Sequence, residues 1–181
     1  MVVTPTVRGL FGLEWDASEN KLMVTPNLPA QWNEATISGV PIGQARVGLE
    51  MKRIGTTLSV RLAGNEATSV HLESRAPGAK FEKGELRIPL PGVEVGIAHG
   101  LPESGARTAR MKVINQKELP RSLRLILSAP ASSQQTLFLR INESKIHLRA
   151  DGAEVSGNPA ELRIQFPPGS GYVEQTVTLS W

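Results

Sequence analysis

A chain of 181 residues, 40% hydrophobic and 20% charged, can hold one good core or two very small ones and is not a disordered polymer. Its net charge of +3 comes from lysines and arginines spread singly along the sequence, which argues against a nucleic-acid surface. The absence of cysteine removes disulfides, thiolate metal sites and cysteine catalysis, and no run of roughly 18 apolar residues is present to span a membrane.

Residues 1–9 (MVVTPTVRG) lack the cationic region and long apolar run of a signal peptide, and this leaves the compartment open. A helix could be placed only within residues 1–10, where threonine and proline weigh against it. Residues 12–15 (GLEW) and 21–25 (KLMVT) are apolar-rich runs around 16–20 (DASEN), whose Asp, Ser and Asn bond to nearby backbone amides; this predicts a hairpin. Pro26, Asn27 and Pro29 stop the second strand. Trp32 is expected to fold back over the hairpin and close one end of the core, a burial worth about 2–3 kcal/mol.

Residues 45–54 (ARVGLEMKRI) alternate, with Val47, Leu49 and Met51 on one face. Gly55-Thr56 turns the chain into 58–62, with Leu58, Val60 and Leu62 inward, and 69–75 (SVHLESR) continues until Pro77-Gly78. Residues 85–90 (ELRIPL) and 92–97 (GVEVGI) follow, and Pro89 predicts an edge strand. The longest irregular piece, 99–105 (HGLPESG), is the best candidate for a boundary or an exposed loop. In the second half, 107–115 alternates, 115–120 reads as a polar link, and 121–128 places Leu123, Leu125 and Leu127 on one face. Residues 134–141 return, 145–149 (KIHLR) read as a strand, and Asp151-Gly152 is a hairpin signal. Residues 161–166 and 171–181 complete the chain.

Seventeen glycines and thirteen prolines punctuate about a dozen short strands, with turns about every 8–12 residues. The expected fold is all-β: an antiparallel β-sandwich forming a single domain over 1–181, with a subdivision near 99–105 as the alternative. No repeat at a fixed period is present, which counts against a propeller.

The chemistry is sparse. His71 and Glu73 share a strand face and could ligate a metal only with a third ligand from elsewhere; a solvated face is the plainer reading, and no metal or other cofactor is expected. His147 is expected to be exposed, which leaves His99 in the long loop, with Glu103, as the loop candidates. Glycoside hydrolysis needs two carboxylates about 5–5.5 Å or 6.5–9.5 Å apart. Glu14, Asp16, Glu94 and Glu103 are available, but none sits in a motif that sets such a distance. There is no nucleophile elbow and no phosphate loop, so no catalytic residue is assigned. Asn142-Glu143-Ser144 fits a glycosylation acceptor formally and reads as a turn.

The string VTPTVRGLFGLEWD, then KLMVTPNLPAQW, then the alternating strand at 45–51 resembles the C-terminal part of bacterial glycoside hydrolases with an (α/α)6 barrel, most nearly the amylo-α-1,6-glucosidase (glycogen-debranching-like) enzymes. The tail 171–181 (GYVEQTVTLSW) resembles their last strand. The resemblance implies a non-catalytic accessory β-sandwich that packs on a helical catalytic domain. It also implies that Met1 lies just after the barrel, so the chain would be a fragment of its parent enzyme. The family's catalytic acids belong to the barrel, and none is carried over. The alternative is a carbohydrate-binding module that displays Trp15, Trp32, Tyr172 and Trp181 to an oligosaccharide, although aromatics make up only 4% of the chain. An unrelated interaction sandwich is a third reading.

Overall fold

The computed structural model describes residues 5–97, 111–143 and 146–181. The fold is all-β, with sixteen strands among the described residues arranged in four sheets. The chain divides into two compact units, Met1–Pro91 and Gly92–Trp181. The loop at 99–105 lies outside the described residues.

Unit 1 opens on a single π-type turn, Pro5–Leu10, in which the Phe11 N–H donates to the Thr6 carbonyl at 3.1 Å. Gly12 follows at φ +60, with a Cβ built there standing 1.8 Å from the Thr25 carbonyl oxygen, so no side chain fits. Strands β1 (Leu13–Asp16) and β2 (Lys21–Val24) form the expected hairpin. Asp16 Oδ1 accepts both the Ser18 N–H and the Ser18 hydroxyl, at 2.9 and 2.6 Å, and so pins the turn. At the proline corner, Leu28 and Ala30 are buried while Trp32 is 42% exposed. The corner is therefore closed by the small side chains. The main chain of Trp32 rather than its ring is what is fastened: its N–H donates to Pro29 and its carbonyl accepts Arg53 Nε at 2.8 Å.

The alternating residues of β3 (Glu34–Ile42), β4 (Ala45–Ile54) and β5 (Thr57–Ala63) form a meander. Turns of two residues join them, with Gly43 and Gly55 at φ +58, as a II′ turn requires of its first residue. β3 was not foreseen, because a bulge between Ile37 and Val40 breaks its alternation. After β6 (His71–Glu73) comes a second unforeseen strand, β7 (Lys80–Glu82), joined to β8 (Glu85–Pro89) by Lys83 and Gly84, both at positive φ as in a I′ turn. The sheets are β1-β2-β6, in which β2 and β6 run parallel, and β3-β4-β5-β8-β7. Pro89 is thus not on an edge strand. It sits past the end of β7, and because Leu90 N–H is the donor to Thr56, the missing Pro89 N–H faces the side without a partner. Leu13, Leu22, Leu49, Met51 and Val60 are among the side chains buried between the two sheets, each contributing about 1.5–3 kcal/mol.

Unit 2 comprises β9 (Val93–Ile97), β10 (Lys112–Leu119), β11 (Ser122–Pro130), β12 (Gln134–Ile141), β13 (Arg149–Asp151), β14 (Glu154–Ser156), β15 (Glu161–Gln165) and β16 (Tyr172–Ser180). Its sheets are β10-β11-β16-β13 and β14-β15-β12-β9. Leu123, Leu125 and Leu127 of β11 point into the core, as their spacing predicts, and meet Leu137, Leu162, Phe166 and Val177. Three segments of this unit differ from their expected form. Residues 115–119 are strand and not a link: polar side chains suit β10, which is exposed along its whole length. Residues 146–148 are not in a ladder. Asp151-Gly152 makes no hairpin, because β13 pairs with β16 whereas β14 pairs with β15. Gly152, at φ +80, lets the chain step between sheets close over the Thr176 carbonyl, where a Cβ would stand 2.4 Å from the oxygen.

Candidate functional site

In β1, Leu13 and Trp15 pair directly with Val24 and Leu22 and share the core-facing side of the sheet. Leu13, Leu22 and Val24 are fully buried, but Trp15 is 41% exposed. β1 is the outermost strand of its sheet, so among the described residues nothing continues the ladder past it. Among the described residues no group accepts a hydrogen bond from its Nε1.

Two cavities meet at this ring. One, of about 320 Å³, is largely apolar: Trp15, Val7, Ile37, Val40 and Pro41 line it together with Arg8 and Ser38. Its far wall is β3, also an outer strand, at the bulge where Gly39 has φ +70 and no side chain projects. The other, of about 260 Å³, is mixed: the charged side chains of Glu14, Asp16, Glu19, Lys21 and Arg75 line it beside Met23. Here Arg75 pairs with Glu14 at 3.3 Å, and Lys21 pairs with Glu73 at 2.8 Å. The hydrogen bond with Glu73 raises the Lys21 ammonium pKa. The Ser18 hydroxyl and N–H hold the Asp16 carboxyl below its ordinary value. Both groups are therefore charged at neutral pH. The arrangement offers an aromatic ring shared by two cavities, one with an apolar wall and one with charge-assisted hydrogen-bonding groups.

The other candidates lie on other elements. Trp32 sits at the proline corner. Tyr172 begins β16, with the Lys112 ammonium 4.9 Å from its ring centre. Trp181 follows the end of β16, about 30 Å away at about 3.3 Å per residue, so these two rings form no common strip. Trp181 is half-buried against the unit 2 core, where a Cβ on Gly92 would come within 2.7 Å of its Nε1, and its carbonyl accepts Arg121 Nε at 2.7 Å. His99 and Glu103 lie outside the described residues. Glu73, the partner proposed for His71 in a metal pair, is engaged by Lys21, and among the described residues no group of three His, Asp or Glu side chains is placed to hold a metal ion. Glu94 accepts a hydrogen bond from Asn142 Nδ2 at 2.7 Å.

One buried acid was not anticipated. Glu85 is 3% exposed on the outer face of the five-stranded sheet. Ser59 Oγ and Arg61 Nε donate to its Oε2 at 2.7 and 2.8 Å, and Arg87 Nε donates to Oε1 at 2.7 Å. These bonds hold its pKa down to about 2, with the Ser59 hydroxyl contributing most. The signal was present as Ser-x-Arg facing Glu-x-Arg, but only the register of β5 against β8 brings the two together. With both oxygens satisfied, Glu85 ties strands together and is not poised for chemistry.

No family model, no curated relative and no solved structure matches this chain.

Proposed function

We propose that the chain is the non-catalytic accessory β-sandwich of a carbohydrate-active enzyme, packing against a helical catalytic barrel. The observation that carries this reading is β10. It is an outer strand of eight residues, exposed throughout, with Val113, Ile114 and Leu119 at 41%, 54% and 44%. A long open edge with apolar side chains is a docking surface or a hazard, and Lys112, Lys117 and the irregularity after Val113 guard it against pairing with its own kind. The resemblance of the first hairpin and the LP–W corner to glycosidase C-terminal domains supports the identity of the partner.

The reading is tested on the gene. The codons before Met1 are expected to encode a helical barrel carrying the two catalytic acids, and that domain, produced separately, should form a complex with this chain. Ile114→Asp should dissolve the complex without unfolding the protein. A reading frame that encodes no such domain, or glucan hydrolysis by the chain alone, would overturn the proposal.

A further inference from the structure

We infer that Trp15 is the stacking platform of a saccharide-binding site whose ligand is a neutral oligosaccharide. This rests on the carbohydrate reading above but concerns unit 1 and not the β10 edge. A pyranose is amphipathic: its C–H faces carry partial positive charge that a π face attracts, and its rim is a belt of hydroxyls. A matching receptor needs an exposed ring with polar groups at its edge.

Trp15 provides that geometry. The residue lines both the apolar cavity walled by Ile37, Val40 and Pro41 and the charged cavity of Glu14, Asp16, Lys21 and Arg75. The apolar cavity, about 320 Å³, lies at the lower end of the range for ligand sites, about 300–1,000 Å³. The indole N–H has no acceptor among the described residues and is left to donate to a ligand hydroxyl. The carboxylates accept hydroxyl protons, while Lys21 and Arg75 donate. The sharp hairpin turn pinned by Asp16 and Ser18, together with the β3 bulge, sets both walls on ordered backbone.

Other ligand classes fit less well. A polyanion would meet the carboxylates of Glu14, Asp16 and Glu19. A lipid surface would find one ring flanked by ions. An apolar protein segment would fill one cavity and bury the other's charges without partners.

The test uses Trp32→Phe/Trp181→Phe protein, in which Trp15 is the sole tryptophan reporter. Maltohexaose, cellohexaose and xylohexaose are each titrated while indole emission is followed. At least one should give a saturable shift, and binding measured by calorimetry should weaken about tenfold in Trp15→Ala but largely survive in Trp15→Phe, which keeps a ring. Circular dichroism checks that each variant is folded. Unchanged emission with all three sugars in folded protein overturns the inference. So does a shift caused by the helical catalytic domain in place of sugar, which would make the ring a docking contact. A sugar shift in a protein that binds no helical domain leaves this inference standing and removes the accessory-domain reading.

Discussion

In unit 1 four ladders join strands consecutive in sequence: β1–β2, β3–β4, β4–β5 and β7–β8. In unit 2 only β10–β11 and β14–β15 do so, while β9, β11, β12, β13 and β16 find partners far along the chain. Both arrive at two sheets around one apolar core, but unit 1 is specified largely by tight turns, and unit 2 largely by which side chains its core accepts. A glycine at a turn and a large side chain in a core should therefore be the sensitive points of the two units respectively.

The largest effect is expected in unit 2. Phe166 is 1% exposed among Leu137, Leu162 and Val177, so Phe166→Ala should cost about 3–5 kcal/mol, measured by urea denaturation with Trp181 emission. In unit 1 the counterpart is Gly12→Ala, whose methyl would overlap the Thr25 carbonyl at a backbone φ of +60. A loss of about 2 kcal/mol or more is expected, and a loss under about 0.5 kcal/mol would show that turn geometry does not govern this unit.

Glu85 gives a smaller effect with a definite sign. Its carboxyl titrates at about 2 when folded against an ordinary value of 4.5. The stabilisation is thus complete above about pH 4.5 and is lost as the pH falls toward about 2. Glu85→Gln should lower the melting temperature at pH 7 and flatten its fall across that window, and an acid limb identical to wild type would remove Glu85 as its cause. The smallest effect is expected at the exposed Arg75–Glu14 pair. Arg75→Ala should change stability by less than about 0.5 kcal/mol while weakening any sugar binding at Trp15.

The legible part of the fold follows the same division. β4 and β12 could be read to their ends because alternation runs unbroken between turn residues. β3 and β7 were missed: the first is interrupted by its bulge, and the second is three exposed residues with no apolar face to reveal it. Asp151-Gly152 misled because the dipeptide reports local chain reversal, whereas the sheet that each flanking strand joins is decided by long-range pairing. At the candidate site the same limit applies. Trp15 could be nominated from its residue type, and Glu14 and Asp16 as acids, but Arg75 and the β3 wall enter only through the tertiary fold.

The parallel pairing of β2 with β6 sets the order in which unit 1 can be completed. Lys21 and His71 are about fifty residues apart, and the β3–β5 meander lies between them. The β1–β2, β3–β4, β4–β5 and β7–β8 ladders can zip from a nearby turn, but this one must close the longest loop in the unit, the slow kind of contact. During synthesis the first hairpin therefore emerges early and waits with one side of β2 bare until residue 73 has left the ribosome. Anything that delays the meander prolongs the interval in which that bare strand can pair with a neighbouring nascent chain.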